Sequence, residues 1–455
     1  SQTLHFAFPI APGTEAEQTA FPLADDQVAH RLTDTTHNWN RVLDRVRIDV
    51  PDEFVAEGVK ASTTYLLLAL DPNGPHPGPL THDAMWVRDA AYIGLALLQL
   101  GYADAVRAYI PDILDSQEPS GRVPPIQGDN IPWDDEEWDA QGQAIFLATS
   151  YHRYTGDTEA LERWYPALRA AARFIVDLRA AESKTEGPAR GLLPPSKSAE
   201  DLGPPDQHYY WDNFWAIAGL EEAAYAARTL GELEDAAWIE AEADALREAV
   251  LRSVEDVMGS DPAYIPGAVE DVESSAMARG TVPALWPIRV LSPRNPLLER
   301  SFLAYHQLWI APDDGGFRHR QGQFWPYGGL ELAHAYLRLG HTDKLHQILG
   351  WTLRHETLPG TFGWAEQVDP ETGAISGGDM PHAWAAASYA TLVREMLVTE
   401  KKGSLELFGG APNWWFEATH AINLEDAPTH FGKLTLHTKS TVEQTDSGWR
   451  GKLVV

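Results

Sequence analysis

The sequence predicts an all-α fold, an (α/α)6 barrel or six-hairpin toroid, with a short N-terminal arm and a small C-terminal β region. The first observation is a repeat: several segments read as an apolar helix, then Gly, then the polar start of a second helix. The second is that strongly apolar helices alternate with amphipathic ones. The repeat glycines are Gly101, Gly156, Gly231 and Gly340.

Each repeat is predicted to be a helical hairpin. A glycine that ends a helix supplies the left-handed residue of the cap, and Asp or Glu soon afterwards suits the next helix N-terminus. When the gaps between repeats are filled by the 3.6-residue period, twelve helices result. They begin near Val55, Met85, Ala103, Ala140, Thr158, Asn213, Leu233, Ser275, Leu297, Tyr327, Thr342 and Pro381.

The alternation of helix types predicts how the hairpins are arranged. Even-numbered predicted helices, such as AAYIGLALLQL and HAWAAASYATLV, are apolar nearly all round. Odd-numbered ones, such as LEDAAWIEAEADALREAV, carry charges on one face. Even helices are therefore expected to form an inner ring and odd helices a solvated outer ring.

The two ends of the chain differ from this pattern. Residues 1–50 show no sustained helical period and are predicted to form an arm before a barrel at 51–402. Residues 403–455 contain short alternating segments, such as KLTLHTKSTV, separated by turn residues. They are predicted to form a small β region packed on the barrel.

The composition excludes several classes of function. The chain has 455 residues with 35 Lys+Arg against 66 Asp+Glu, a formal charge of −31. No nucleic-acid or membrane partner is expected, because phosphate contacts need Lys or Arg. The absence of Cys excludes thiolate nucleophiles and Cys-ligated metals, and neither a metal nor a cofactor is expected. A cytoplasmic location is favoured, secretion after removal of a leader stays open because the chain begins at Ser1, and the sequence is silent on oligomeric state.

Aromatic and charged side chains gather at the starts of the even-numbered helices. In a barrel of hairpins all these starts lie on one rim, so the residues are expected to converge on a single pocket. The chain contains 17 Trp, whose flat rings suit stacking on sugars. The candidates for substrate binding are Trp86, Arg88, Asp89, Trp138, Asp139, Gln143, Tyr210, Trp211, Trp325, Tyr327, Trp364, Gln367, His382 and Trp384.

A pocket of carboxylates and Trp suits glycoside hydrolysis. That reaction needs one carboxylic acid to protonate the leaving oxygen and one carboxylate that acts on water or on the anomeric carbon. Asp and Glu side chains suffice for both roles, so the partner expected is a small oligosaccharide or glycoside.

Two blocks carry a family resemblance. WVRDA at 86–90 resembles the Trp-x-Arg-Asp element of glucoamylases and their relatives, and GWAEQVDPETGAISGGDMPHAWAAASYATL at 363–392 resembles their Ala-Glu-Gln block. The resemblance implies an exo-acting hydrolase that inverts the anomeric configuration of an α-glucoside. It implies that Glu366 is the general base and that Arg88 and Asp89 hold the terminal sugar.

The catalytic acid departs from the glucoamylase pattern. Glucoamylases have a Glu beside a Trp before the sixth helix, whereas this sequence reads YYWDNFW. Trehalases and the processing α-glucosidase family have an Asp there, which implies Asp212 as the acid. Glu136 and Glu137 on the preceding loop are alternatives.

Other substrates and reactions stay open. Mannosides, rhamnosides and small compatible-solute glycosides are processed on the same barrel, and the sequence does not choose among them. The alternative functions are a glycoside phosphorylase or lyase on this barrel, or a non-catalytic carbohydrate-binding protein. The Ala-Glu-Gln carboxylate argues against phosphorolysis, and the scarcity of Lys on the predicted rim argues against a uronate lyase.

Overall fold

A computed structural model shows the predicted hairpins. It describes residues 25–128, 136–182, 184, 186–197, 199, 203–273, 276–312, 315–319, 322–445 and 448–455. Each of the twelve predicted helices is present, and each begins within three residues of its predicted start. After an additional first helix, α1 (Asp25–Leu43), they are α2 (Glu53–Leu68), α3 (Val87–Gln99), α4 (Ala103–Asp115), α5 (Asp139–Thr155), α6 (Thr158–Glu182), α7 (Tyr210–Leu230), α8 (Leu233–Met258), α9 (Ala276–Thr281), α10 (Pro296–Trp309), α11 (Pro326–Leu339), α12 (Thr342–Arg354) and α13 (Ala383–Leu397).

Burial separates an inner from an outer ring, as predicted. Every residue of α3 and of α13 is buried, as are nearly all residues of α5 and α11. The outer helices α6 and α12 bury one face only. At the barrel axis, the rings of Trp215, Trp286 and Trp384 lie with centroids 4.5 to 5.8 Å from that of Tyr92. The core is therefore the inside of the inner ring and the layer between the two rings.

The hairpin glycines adopt the predicted conformation. Gly156, Gly231 and Gly340 directly follow α5, α7 and α11 with φ of 72°, 82° and 80°. These left-handed values let the chain reverse at once into the next outer helix. All inner helices consequently run in one direction, and their N-termini share one rim.

The N-terminal arm differs from the sequence expectation. Helix α1 occupies part of the predicted arm, where the sequence shows no sustained helical period, and adds one helix to the twelve predicted. None of its residues is buried, and it therefore has no core-facing apolar stripe for the sequence pattern to reveal. Asp25 and Asp26 in its first turn and Arg41 in its last turn favour the helix through its dipole.

The C-terminal β region is present and includes one strand from the arm. Strand β10 (Asn423–Thr429) pairs antiparallel with β1 (Arg47–Asp49) on one side and with β11 (Gly432–His437) on the other. Because the arm supplies β1, the division at residues 50 and 402 stays a prediction. The remaining strands form two-stranded pairs: β2 (Leu70–Asp71) with β3 (Gly74–Pro75), β4 (Met85–Trp86) with β5 (Ile126–Gln127), β6 (Gln367–Val368) with β7 (Ile375–Gly377), β8 (Val398–Lys401) with β9 (Ser404–Leu407), β12 (Lys439–Ser440) with β15 (Leu453–Val454), and β13 (Glu443–Thr445) with β14 (Gly448–Arg450).

In the part of the chain that the structure describes, no helix combines the length and apolar character needed to cross a bilayer.

Candidate active site

Three buried carboxylates and an arginine meet where α3, α5 and α7 begin. Arg88 in the first turn of α3 extends its Nη1 to Glu137 Oε2 at 2.7 Å and to Asp139 Oδ2 at 3.2 Å. Asp212 lies in the first turn of α7, and all four side chains are buried. The shared N-terminal rim of the inner helices brings together residues that are up to 124 positions apart in sequence. We call Arg88, Glu137, Asp139 and Asp212 the carboxylate cluster.

Asp139 is the most heavily bonded member of the carboxylate cluster. Besides Arg88, its Oδ2 accepts hydrogen bonds from Gln143 Nε2 and Trp211 Nε1, both at 2.8 Å. Three donors on one oxygen fix the orientation of the carboxylate. Arg88, Gln143 and Trp211, which the sequence singled out separately, thus converge on one carboxylate.

Asp212 has a contrasting environment. Its side chain is buried, and its Oδ2 accepts a hydrogen bond of 2.6 Å from Ser196 Oγ. Burial raises the pKa of Asp212 well above its ordinary value, and the negative charge of Asp139 raises it further. The bond from Ser196 opposes this rise without cancelling it. Asp212 can therefore hold a proton at a pH where an exposed Asp is ionised.

Glu366 lies on the loop that leads into β6, between two histidines. His82 Nδ1 is 3.0 Å from Glu366 Oε2, and His382 Nε2 is 3.8 Å from the same oxygen. The Glu366 N–H donates to the carbonyl oxygen of Asp379 at 3.0 Å. Only 7% of Glu366 is exposed, so its carboxylate is desolvated but not shut off from the rim.

Asp379 ties the loop before α3 to the loop that carries Glu366. Its carboxylate accepts hydrogen bonds from the backbone N–H groups of Thr81 and His82, each at 2.8 Å. A Cβ on Gly378 would lie 2.0 Å from Glu366 Oε2, so only glycine allows the carboxylate its position. These contacts close a ring from Glu366 to Asp379 to His82 and back to Glu366.

Four of the predicted aromatic residues surround Arg279, a buried arginine inside the barrel. The guanidinium of Arg279 pairs with Glu331 at 3.0 Å, with the two side chains 1% and 0% exposed. Around it lie four rings whose centroids are 4.6 to 5.9 Å from the guanidinium carbon, those of Trp211, Trp325, Tyr327 and Trp384. Such spacing is typical of cation–π contacts. His382 joins this group, because its ring lies 4.8 Å from that of Tyr327.

Three predicted residues point towards the outer ring instead. Tyr210 pairs through its hydroxyl with Ser253 Oγ of α8 at 2.8 Å. Trp364 Nε1 donates to the carbonyl oxygen of Thr352 on α12 at 2.9 Å, and Trp138 Nε1 to that of Pro195 at 3.3 Å. The structure does not bring these side chains to the carboxylate cluster.

The remaining candidates lie at the rim. Trp86 packs edge-on against His82 with ring centroids 5.4 Å apart, Asp89 is buried in the first turn of α3, and Gln367 is half-buried on β6. Of the two alternative acids, Glu136 is exposed and Glu137 is buried against Arg88. Residues 129–135, which include part of the DDEE run, lie outside the described residues.

Sequence reasoning missed His82, Ser196 and Glu331. His82 and Ser196 lie on Pro-rich loops, where no periodicity shows which side chains point inward. Glu331 had a usable signal, because it is a lone carboxylate in the otherwise apolar first turns of α11. A charge in such a helix is rarely buried unless it is paired.

Among the described residues, one group has metal-ligand spacing, formed by Asp71, His76 and Asp83 with ligand atoms within 4.8 Å of one another. His76 Nδ1 lies 2.9 Å from Asp83 and Nε2 lies 3.1 Å from Asn73. Both ring nitrogens are thus already satisfied by protein oxygens. The group stabilises the loop before α3.

Comparison with protein-family models and with curated protein sequences finds no match. Solved structures do match. A glycosidase variant in complex with glucose shares 15% identity at TM-score 0.56, over 76% of this chain and 97% of the other. A glucoamylase from Saccharomycopsis fibuligera shares 12% identity at TM-score 0.62, over 76% and 96%.

A bacterial glucoamylase in complex with acarbose shares 15% identity at TM-score 0.62, and the match covers 84% of this chain but 60% of that one. At such identities the likeness is one of fold. The predicted (α/α)6 barrel and its resemblance to glucoamylases are confirmed at that level.

Proposed function

We propose that this protein is an exo-acting glycoside hydrolase that inverts configuration, with Asp212 as general acid and Glu366 as general base. One observation carries the proposal: two buried carboxyls on the rim lie in opposite environments. Asp212 is desolvated beside other carboxylates, whereas Glu366 lies between two imidazoles. Two carboxyls that lie in such different surroundings within one site are typical of a general acid and a general base. The solved structures of glycosidases and glucoamylases with this fold support the same class of reaction.

In the proposed reaction, a single displacement, Asp212 protonates the glycosidic oxygen. The bond from that oxygen to the anomeric carbon breaks, and its electron pair stays with the protonated leaving group. The raised pKa of Asp212 keeps the necessary proton on its carboxyl at pH values where an exposed Asp has lost it.

In the same step Glu366 removes a proton from water, whose oxygen bonds to the anomeric carbon from the face opposite the departing group. Inversion needs the two carboxyl groups roughly 6.5 to 9.5 Å apart, which leaves room for that water. The contact from the His82 side chain orients the Glu366 carboxylate. The hydrogen bond from the His82 backbone N–H to Asp379 holds the loop before α3 against the loop that carries Glu366.

Recognition of the sugar is assigned to the remaining residues of the rim. Arg88 and Asp89 would hold hydroxyls of the terminal sugar, and Asp139 lies beside them, oriented by Gln143 and Trp211. An α-glucoside is our first choice of substrate. The glucose and acarbose complexes of two solved structures with this fold support a small carbohydrate in this place.

The test is turnover of α- and β-linked disaccharides by wild type, Glu366→Gln and Asp212→Asn. Both variants are expected to lose at least about a thousandfold in rate, since each removes one of two carboxyls on which the reaction depends. Glu371→Gln is the matched control, because Glu371 is an exposed carboxylate on the adjacent turn between β6 and β7 and should retain wild-type activity.

Other outcomes would change the assignment. If Asp212→Asn keeps near-full activity while Glu366→Gln does not, the acid is elsewhere, and Glu137 against Arg88 is the next residue to replace. Binding of sugars without turnover of any glycoside would contradict the hydrolase proposal.

A further inference from the structure

A cavity lies at the opposite end of the barrel from the carboxylate cluster. It has a volume of about 1140 Å³ and is lined by the C-terminal halves of inner helices, including Gln99 of α3 and Glu395 of α13. From Arg88 to Gln99, α3 rises about 16 Å at ~1.5 Å per residue. The cavity is thus separated from the rim by most of the barrel length.

Each carboxylate on the cavity wall already forms an ion pair with an arginine. Arg153 forms a 2.9 Å pair with Glu222, and Glu395 accepts from both Arg338 and His334. None is left to attract a cation. The six carboxylates that line the cavity and their cationic partners are Glu221 and Asp244 with Arg247, Glu222 with Arg153, Glu240 with Arg228, Glu395 with Arg338, and Glu400 with Arg394.

Cationic donors on the same wall are in surplus. Arg289 has no carboxylate within 4.0 Å among the described residues, and its one hydrogen bond is from Nη2 to the carbonyl oxygen of Glu400 at 3.0 Å. Arg338 is 8% exposed in its side chain, and its Nε and Nη1 have no partner among the described residues. Lys402, on the turn between β8 and β9, also lines the cavity. It forms no ion pair with any residue that the structure describes.

The two arginines repel each other. Burial lowers the pKa of Arg289, and the charge of Arg338 adds to this effect, so that the pKa falls to about 10. Arg289 therefore remains charged at neutral pH. A bound anion would relieve this repulsion and accept hydrogen bonds from the N–H groups of Arg338 that have no partner among the described residues.

The rest of the wall suits the carbon skeleton of a ligand. Leu95, Phe146 and Ile288 provide apolar surface, and the β10–β11 turn covers the opening with His430 and Phe431. His430 packs edge-on against Tyr154 with ring centroids 4.7 Å apart. The volume exceeds what an inorganic ion needs and lies slightly above the roughly 300 to 1,000 Å³ typical of pockets for small organic molecules, so a molecule of that size fits.

We propose that this cavity is a binding site for a small organic phosphate, whose phosphate group is held between Arg289 and Arg338 with Lys402 at the mouth. A phosphate matches planar guanidinium donors and carries enough charge to offset more than one cation. The site is independent of the hydrolase assignment, because it shares no residue with the carboxylate cluster.

Calorimetric titration of the full chain tests the proposal without any turnover. Glucose 6-phosphate is the probe, with inorganic phosphate and glucose as its two halves. We expect saturable binding of glucose 6-phosphate, weaker binding of inorganic phosphate, and a loss of affinity of about tenfold or more for both anions in Arg289→Gln. Binding of glucose, if seen, should not depend on Arg289.

A matched variant separates a specific site from general charge effects. Arg228→Gln removes the same charge from the same wall, but Arg228 is neutralised by Glu240, so affinity should stay within about twofold. Equal losses in Arg228→Gln and Arg289→Gln, or no saturable binding of either anion by wild type, would overturn the site. Unchanged melting of Arg289→Gln without ligand is expected, since that side chain makes one backbone hydrogen bond.

Discussion

Asp212 and Glu366 are both buried, yet their side chains have different kinds of neighbours. Asp212 faces the charges of Asp139 and Glu137 with one hydroxyl donor, and the pKa of its carboxyl is raised. Glu366 has an imidazole nitrogen at 3.0 Å and a second at 3.8 Å. At the residue scale, the account depends on this contrast.

The raised pKa of Asp212 predicts a pH dependence of stability. A carboxyl whose folded-state pKa lies above its unfolded value contributes stability that is present below the unfolded pKa and lost as pH rises through the folded one. Asp212→Asn cannot ionise, so its melting temperature relative to wild type should rise as pH increases from about 4, the ordinary pKa of Asp, towards the raised pKa of Asp212.

An aspartate with the opposite shift is the control for this measurement. Backbone hydrogen bonds from Thr372 lower the pKa of Asp369, so its contribution is present above the unfolded pKa and lost as pH falls. The melting temperature of Asp369→Asn relative to wild type should therefore fall as pH rises. Parallel trends in the two variants would contradict the assigned direction for Asp212.

The contact between His82 and Glu366 predicts that catalysis depends on the Nδ1 atom of His82. His82→Asn places an amide nitrogen close to the position of Nδ1, whereas His82→Ala leaves Glu366 without that neighbour. We expect kcat to fall about 10- to 100-fold in His82→Ala and much less in His82→Asn, with KM little changed in both. Steady-state kinetics on the substrate identified by the disaccharide panel provide the values. Identical kcat in the two variants would show that His82 only fills space.

Sequence reasoning found residues whose position follows from helix geometry and missed those that depend on loops. Arg88, Asp139 and Asp212 start inner helices, so a correct helix count places them on one rim. His82 precedes α3 by five residues in the segment HPGPLTHD, whose path is set by the backbone bonds to Asp379. No local pattern encodes that long-range contact.

At the scale of elements, apolar periodicity predicted the twelve helices because each buries a stripe or its whole surface. Helix α1 buries nothing and was missed for the same reason. The pairing of β1 with β10 joins segments almost 380 residues apart, and short strands of three to seven residues carry too little pattern to reveal a partner.

The turn that carries Gly378 predicts a loss of activity without general unfolding. Gly378→Ala would place a Cβ against the Glu366 carboxylate, at a φ of 65°. Gly373→Ala has nearly the same φ, 71°, and no atom within 4 Å of the added Cβ. Both variants should lose about 1 kcal/mol of unfolding free energy from the left-handed backbone. Only Gly378→Ala should also lose most of kcat, and equal activities would contradict the proposed role of Glu366.

Close packing of α5 against α7 predicts a large stability effect. A Cβ on Gly142 would lie 2.0 Å from the carbonyl oxygen of Trp215, a backbone atom that cannot move alone. Gly142→Ala should therefore lower the free energy of unfolding by at least about 2 kcal/mol in urea denaturation. Gly280→Ala is the control, because its nearest atom is at 3.8 Å, and it should be neutral or slightly stabilising. Equal effects would show that the two inner helices can separate at little cost.

At the scale of the whole molecule, the parallel inner helices give the barrel two chemically different ends. The carboxylate cluster lies at their N-termini, with Glu366 on a loop at the same rim. Their C-termini surround the cavity with Arg289, which has no ion pair among the described residues. The sequence predicted the first end, since unusual residues at helix starts stand out. It did not predict the second, because the pairing of each Arg and Glu there depends on packing between rings and on the β10–β11 turn.

The most direct test of the account is the anomeric configuration of the first product. Wild type is incubated with the disaccharide that it hydrolyses fastest, and proton NMR spectra are recorded from the first minutes, before mutarotation. If Glu366 activates water opposite Asp212, an α-linked substrate releases the β-anomer. Release of the α-anomer would mean retention, which requires a carboxylate nucleophile in place of an activated water, and would contradict the roles assigned to the two residues.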